Sequence, residues 1–234
     1  TANCLLNFGE QGGALGWLVG EPGHGLRQMF MMMNEARIGV GTGAAALAHR
    51  GYRLSLRYAA ERMQGRPTGR RDGDPVAIHS HPDVRRMLLA QKAYAEGALA
   101  LCLYCANLVD HASVDQDAAA LLALLTPVAK TWPSEFGLAA NDLAIQVHGG
   151  YGYTRDFDVE QLYRDNRLNP IHEGTTGIQA IDLVGRKILQ DGERGLAVLR
   201  RRVAETVERA ASDPSFAGQA GGLVEAFKNL DKTI

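Results

Sequence analysis

The sequence predicts a mostly helical protein, a helical bundle with a short β segment at its beginning. Residues 25–62 place apolar side chains at alternating steps of four and three, the spacing of a helix with one buried face. Residues 82–112 and 115–147 repeat this period. At 1.5 Å per residue the first helix would be roughly 55 Å long. That length suits a bundle better than a compact α/β domain.

Composition narrows the class of protein. The 234 residues carry a formal net charge of −1 and are 46% hydrophobic, which favours a globular chain with a sizeable core and indicates neither a nucleic-acid nor a lipid partner. We find no uncharged apolar run near the roughly 18 residues of a spanning helix, and no secretory signal. Three cysteines, an odd number, favour a reducing compartment, so we expect a cytoplasmic protein.

Residues 1–23 differ from the rest. Residues 5–8 and 15–20 read as two short strands joined by a turn at Gly12 and Gly13. A two-stranded hairpin is only marginally stable alone. The segment therefore indicates the end of a β structure whose other strands lie elsewhere.

Charged residues in the first half allow two interpretations each. Arg37 falls within the apolar face of the first helix, where a guanidinium is costly unless it meets an anion; it either snorkels or pairs with an internal carboxylate, or meets a ligand. The loop at residues 63–81 is rich in arginine, which indicates either a phosphate-facing cluster or, as we favour, a solvated one. His79 and His81 lack a third metal ligand, so local polar contacts are favoured over a metal site.

The second half continues the helical pattern. Thr126-Pro127 is expected to restart the third helix and Pro133 to kink it. Residues 176–190 form a fourth helix, and residues 191–234 contain the helices of an added element. Cys102 and Cys105 are best explained by core packing, and the arginine triplet at residues 200–202 by a solvated face.

Residues 146–153 form a glycine-aromatic turn. Gly149, Gly150 and Gly152 permit positive φ and close approach, so backbone amides there can meet a phosphate or a nucleotide ring. A Rossmann dinucleotide turn is rejected because an amphipathic helix, not a strand, precedes it.

Glu173 lies between Pro170 and a Gly-Thr-Thr turn that begins a helix. It either caps that helix, aided by the helix dipole, or serves as a partly desolvated general base. Local spacing alone favours the cap.

Five ordered segments carry a resemblance to a known family: Asn34-Glu35-Ala36-Arg37, Glu61-Arg62-Met63-Gln64-Gly65-Arg66, Gln146-Val147-His148-Gly149-Gly150-Tyr151-Gly152-Tyr153, Arg164-Asp165 and Ile171-His172-Glu173-Gly174-Thr175. Their order and spacing resemble those of the acyl-CoA dehydrogenases over residues 12–190, and most closely the long bacterial members with an extra C-terminal helical domain. The chain departs from the family pattern at Asn34, where Asp is common, at His172, where Tyr is common, and in an inserted Arg-Asp-Gly stretch after Gly65.

The resemblance implies a domain plan and a site. Residues 1–23 would end a middle β domain, residues 24–190 would form a C-terminal four-helix bundle, and residues 191–234 would start an additional helical element. Glu173 would be the catalytic base. Substrate contacts would be Asn34, Arg37 and Gly174. FAD contacts would be Arg62, Gln64, His81, Gln146, Val147, His148, Gly149, Gly150, Thr175 and Thr176.

The resemblance also implies an activity and partners. The whole protein would use FAD to oxidise an acyl-CoA to the trans-2-enoyl-CoA, pass electrons to an electron-transfer flavoprotein, and assemble as a homodimer or homotetramer. Two alternatives stay open: a non-catalytic flavoprotein that binds nucleic acid, for which the Arg200 triplet is the sole support, and an acyl-CoA oxidase.

Overall fold

The structure, a computed structural model, describes residues 4–190 and 194–233, apart from the side chains of Phe30 and Met31. The chain divides into two compact units, residues 1–34 and residues 35–234. Phe30 belongs to the predicted apolar face of the first helix, and its side chain lies outside the described part of the chain.

Helices dominate the described residues, which confirms the predicted fold class. They are α1 (Gly25–Glu61), α2 (Pro82–His111), α3 (Gln116–His148), α4 (Val159–Asn166), α5 (Thr176–Ala180), α6 (Arg194–Ala211) and α7 (Ala217–Thr233). A π-helical segment, Ile181–Ile188, continues α5, and short 3₁₀ turns occupy Ile78–Ser80 and Gly149–Tyr153. None of these helices is both long and apolar enough to cross a lipid bilayer.

The first unit lacks the predicted hairpin. Between residues 4 and 24 the chain forms turns and extended segments but no strand, so neither of the two predicted strands is present there. Leu15 and Trp17 are exposed, at 92% and 85%. A hairpin of this size needs further strands or a packed face to be stable, and this segment has its apolar side chains in solvent.

In the second unit, α3 lies at the centre. It packs against α2, α4, α6 and the π-helical segment. Close approach to α1 depends on Gly41, because a Cβ there would lie 2.0 Å from the main-chain oxygen of Ala129. One core cluster contains Ile38, Cys105, Leu108, Ala118, Leu121, Leu125, Ala129 and Val198.

The added element predicted after residue 190 shares this core. Residues 191–193 lie outside the described residues, but α6 contributes buried Leu196 and Val198. A Cβ at Gly195 would lie 2.8 Å from the main-chain oxygen of Ala120 in α3, so the two helices approach closely. We conclude that α6 completes the bundle core.

Helix α3 continues through both of its prolines, so the predicted restart at Thr126-Pro127 is wrong. Pro133 has no N–H to donate to Ala129 O, four residues earlier. The Cys102 thiol lies 3.8 Å from that oxygen and supplies a weak donor from α2. Cys102 and Cys105 are free and buried, and burial raises the pKa of Cys105 to about 11. Both cysteines therefore serve packing, as the sequence indicated.

Candidate functional site

Glu173 has an unusual backbone conformation. Its φ is 55°, and among the described non-glycine residues it alone has a positive φ. Gly174 follows with φ 87°. A non-glycine residue in the left-handed region costs free energy and persists only where surrounding contacts hold it, and such residues cluster at functional sites.

Two buried side chains hold the main chain at Glu173. Lys130 of α3 donates from Nζ to Asn169 O at 2.8 Å and to Gly174 O at 2.7 Å. Gln179 of α5 donates from Nε2 to Glu173 O at 2.9 Å. Burial lowers the pKa of Lys130, whereas the nearby carboxylates Glu135 and Glu173 oppose that shift. The loop at residues 169–174 is thus fastened to two helices.

A relay of asparagines continues this anchoring into the core. His172 Nε2 lies 3.1 Å from Asn169 Oδ1, and Asn169 donates to Asn166 at 2.8 Å. Asn166, which is fully buried, donates to Asn141 of α3 at 2.6 Å. Asn141 donates in turn to Leu47 O of α1 at 3.0 Å. The loop, α3 and α1 therefore share one hydrogen-bond network.

Glu173 does not cap α5. The N-cap is Thr175, which makes no side-chain cap bond, and Glu173 lies two residues before it. The Thr176 hydroxyl donates to Glu135 in α3. With the cap interpretation removed, the Glu173 carboxylate is left for another role.

Two surface grooves meet beside Thr176 and Glu135. One, of about 260 Å³, is lined chiefly by apolar side chains of α3 and of the π-helical segment, with α5 at its edge; they include Pro127, Val128, Trp132, Phe136 and Leu183. The other, of about 380 Å³, follows the approach to the loop at Pro170 and Ile171. Both grooves offer apolar or mixed surface next to the Glu-Gly-Thr run.

Arg37 finds its anion inside the protein. Its guanidinium donates to Asp182 at 2.7 Å, and both residues are buried. The Arg37 Nε atom has no hydrogen-bond partner. The internal-carboxylate interpretation from the sequence is therefore the observed one, and a substrate contact of Arg37 stays a prediction. Asn34 is exposed in the first unit.

A second cluster joins two of the predicted cofactor segments. The Arg62 guanidinium carbon lies 5.7 Å from the centre of the Tyr151 ring, within cation–π range. Arg62 is exposed at the end of α1, and Tyr151 belongs to the glycine-aromatic turn. The Arg62 guanidinium, which follows α1, thus lies beside the glycine-aromatic turn that follows α3.

The side chains of Val147 and His148 are buried, so a cofactor contact at these two positions would have to come from the main chain and stays a prediction. His148 stacks on Tyr58 with ring centroids 4.4 Å apart, and its Nδ1 lies 2.8 Å from Ala144 O. Burial lowers its pKa. Val147 packs in a core cluster with Met87 and Leu88. Both side chains act in packing, because the inward face of α3 carries them.

His81 also has a local role, as the residue-based interpretation favoured. Its Nε2 lies 2.8 Å from the main-chain oxygen of Gln64, which fastens the start of α2 to the polar loop. Gly65, with φ 70°, packs under this ring. The predicted cofactor contacts at His81 and Gln64 stay predictions, and the Gln64 side chain is exposed.

The turn after α3 suits a phosphate-bearing ligand. Gly149 has φ 62° and ends α3, and a Cβ added at Gly149 or Gly150 would meet no atom within 4 Å. Gln146 is exposed one turn earlier. The Gly149 N–H donates to Gln146 O, so the donors that this turn offers are the exposed main chain at Gly150, the Gln146 side chain and the Arg62 guanidinium. Such a donor set fits the pyrophosphate and adenine end of a dinucleotide.

The arginine triplet has carboxylate partners. Arg200 pairs with Asp231 of α7 at 2.6 Å, and Arg201 pairs with Asp117 of α3 at 2.8 Å. Asp117 also accepts from Arg194, and these arginines lower its pKa. Two of the three arginines thus join helices within this chain, which weakens the nucleic-acid alternative.

Sequence reasoning did not identify Lys130, Gln179, Asn141 or Asn166 as site residues. Their spacing along the helix could have identified two of them. Lys130 and Asn141 share one buried face of α3 with the small residues Ala129, Gly137, Ala140 and Ala144. Small residues on a helix face indicate close neighbours, and a long polar side chain among them must reach a partner.

Comparison with known proteins agrees with this geometry. Residues 23–189 match the family described as acyl-CoA dehydrogenase, C-terminal domain. Over 216 residues the chain is 42% identical to the 3-methylmercaptopropionyl-CoA dehydrogenase of Ruegeria pomeroyi, covering 90% of this chain and 36% of that protein. It is 39% identical over 241 residues to a broad-specificity linear acyl-CoA dehydrogenase of Mycobacterium tuberculosis, covering 98% of this chain and 39% of that protein.

A solved structure shares the fold. The crystal structure of Caenorhabditis elegans ACDH-11 in complex with C11-CoA aligns with a TM-score of 0.79 at 22% identity, over 92% of this chain and 35% of that chain. The chain thus spans between 35% and 39% of the length of these three proteins.

Proposed function

The chain belongs to the acyl-CoA dehydrogenase family, and we propose that it supplies the catalytic base and part of the cofactor site of an enzyme that oxidises an acyl-CoA to the trans-2-enoyl-CoA. The observation that carries this proposal is the left-handed backbone of Glu173 in a loop fastened by Lys130 and Gln179. A carboxylate at such a position is rigidly presented and is not used by a helix cap.

The proposed chemistry assigns the α-proton to Glu173. A proton next to a thioester carbonyl is acidic enough for a carboxylate whose position is fixed against the substrate. FAD, when bound, accepts the hydride from the β-carbon. Gly174 is proposed as a substrate contact, and the apolar groove between α3 and the helix that begins at α5 supports a dry surrounding. Asn34 and Arg37 are proposed as substrate contacts from the resemblance alone.

The proposed FAD contacts fall into two groups. Arg62, Gln64 and Gln146, with the main chain at Gly149 and Gly150, would hold the adenine and pyrophosphate end. His81, Val147 and His148 are proposed there from the resemblance alone. Thr175 and Thr176 would lie beside the base. The exposure of the first group and the open space at both glycines support this assignment.

We further propose an electron-transfer flavoprotein as the electron acceptor and a homodimer or homotetramer as the assembly, as the family resemblance implies. Three free cysteines support a cytoplasmic setting.

The test is anaerobic flavin bleaching of the natural full-length protein by a panel of acyl-CoA thioesters. We expect one or more thioesters to bleach the flavin, and Glu173→Gln to slow bleaching by roughly 10²–10⁴-fold, the usual contribution of a general base. Glu208→Gln, which changes an exposed glutamate on α6, is the matched control and should bleach like wild type.

Bleaching that survives Glu173→Gln at near wild-type rate would remove the assigned base. Repeating the reaction in air separates the alternatives. Rapid reoxidation by oxygen would indicate an oxidase, whereas slow reoxidation relieved by an electron-transfer flavoprotein supports the dehydrogenase.

A further inference from the structure

Lys130 bridges the loop that carries Glu173. It lies near the middle of α3 with no solvent exposure, and its two hydrogen bonds go to main-chain oxygens at Asn169 and Gly174. Burying an ammonium group is costly unless hydrogen bonds compensate it. A neutral side chain would fill the same space at lower cost, so the charged donor indicates a specific task.

The two oxygens lie on either side of Glu173 in sequence. Gln179 adds a bond to Glu173 O, and a longer one of 3.4 Å to Gly174 O. The main chain at residues 169, 173 and 174 is thereby fixed from α3 and α5. A non-glycine residue with φ 55° keeps this conformation only where several contacts hold it, because its backbone would otherwise return to a negative φ.

We propose that Lys130 is a positioning residue for the base: its ammonium group ties Asn169 O and Gly174 O together and thereby holds Glu173 in its left-handed conformation with the carboxylate aimed at the substrate. This inference rests on the proposed function of Glu173. Lys130 acts through the loop and does not itself touch the reacting atoms.

The test substitutes Lys130→Met in the natural full-length protein loaded with FAD. Methionine keeps the length and volume but donates no hydrogen bond. We expect the maximal rate of flavin reduction by the best acyl-CoA to fall on the order of 10²-fold, as for a misplacement of about 1 Å. The acyl-CoA concentration for half-maximal rate and the FAD content should stay within about threefold, because binding surfaces are untouched.

Two companions make the result decisive. Thr126→Val is the matched control, since it removes a buried hydroxyl one turn earlier in α3 whose bond goes only to Leu122 O. It should leave the rate within about twofold of wild type. Lys130→Gln keeps a shorter donor, should fold even where methionine does not, and should give an intermediate rate.

The outcomes separate this proposal from the function it rests on. Reduction rates near wild type in both Lys130 variants, beside a defective Glu173→Gln, overturn the positioning role and leave the function standing. Equal losses of FAD content, affinity and rate would show a merely structural lysine and also overturn it. If no acyl-CoA bleaches the wild type, the function fails. Amide hydrogen exchange over residues 169–175 then decides: faster exchange in Lys130→Met supports the bridge, and unchanged exchange overturns it.

Discussion

The guanidinium of Arg37 lies 2.7 Å from the carboxylate of Asp182, and each side chain is only 8% exposed. The pair joins α1 to the π-helical segment that follows α5. Arg186, one turn later, lies 3.8 Å from the second carboxylate oxygen. A π-helical segment shifts the register of the residues beyond it, and such segments are frequent at functional sites. Asp182 is the second residue of this segment and faces Arg37 on the apolar face of α1.

Removing one partner of this pair should lower the free energy of unfolding more than removing both partners. Asp182→Ala leaves a buried guanidinium uncompensated, and we expect a loss of about 3–5 kcal/mol in the free energy of unfolding. Arg37→Met combined with Asp182→Leu removes both charges and should recover most of that loss. Urea unfolding of the three proteins measures this. A double variant as unstable as Asp182→Ala would contradict it.

The sequence predicted helices well because their apolar periods are long and unambiguous, as at residues 82–112 against the observed Pro82–His111. It predicted the Glu173 site only through the family resemblance, since local chemistry favoured a helix cap. It missed the anchoring residues for a physical reason. Lys130 bonds to main-chain oxygens 39 and 44 residues away, and Asn166 bonds to an asparagine 25 residues away. Gln179 bonds to a main-chain oxygen six residues earlier. Such pairings become visible only when the chain is folded.

The place of α6 in the core gives a second prediction. Leu196 is 2% exposed, and its helix lies against α3. Leu196→Ala should lower the free energy of unfolding by about 2–5 kcal/mol, as expected for a buried leucine. Leu189→Ala is the matched control, because Leu189 is 67% exposed and should cost less than about 0.5 kcal/mol. Equal effects would show that α6 does not belong to this core.

The asparagine relay gives a third prediction. Asn166 is fully buried and bonded on both sides, to Asn141 and Asn169. Asn166→Ala removes the donor to Asn141 Oδ1 and the acceptor of Asn169 Nδ2, and should cost about 1–3 kcal/mol. It should also slow flavin reduction, because the loop at residues 169–174 loses one of its attachments to α3. Asn107→Ala, at an exposed position on α2, is the control and should be within about 0.5 kcal/mol of wild type. Chemical unfolding and stopped-flow reduction measure the two effects.

His148 makes stability depend on pH. Burial lowers its pKa in the folded protein below the unfolded value of about 6.5. The unfolded chain therefore binds the proton first as pH falls, so this contribution to stability is intact above pH about 6.5 and is lost below it, through the folded pKa. Unfolding free energies at pH 7.5 and 5.5 should differ more in wild type than in His148→Gln, which does not titrate. An equal pH dependence in both proteins would exclude His148 as the cause.

Arg62 gives a prediction for the cofactor end of the site. Its guanidinium carbon lies 5.7 Å from the centre of the Tyr151 ring, which belongs to the same turn as Gly149 and Gly150. A charge-assisted bond from this arginine to a phosphate is worth about 1.5–3 kcal/mol, so Arg62→Met should weaken FAD binding by at least about tenfold. Because Glu173 lies in a separate loop, the rate of flavin reduction in the FAD-saturated variant should change far less than its FAD affinity.

The control for Arg62 is Arg71→Met, which removes an equally exposed arginine from the loop at residues 63–81. If proximity to the glycine turn is what matters, Arg71→Met should retain FAD affinity within about twofold, since an exposed solvated charge contributes little. Titration of the apoproteins with FAD, followed by flavin fluorescence at two salt concentrations, measures both variants. An equal weakening by both substitutions would mean that the general positive charge of this loop, and not the Arg62 position over Tyr151, attracts the cofactor.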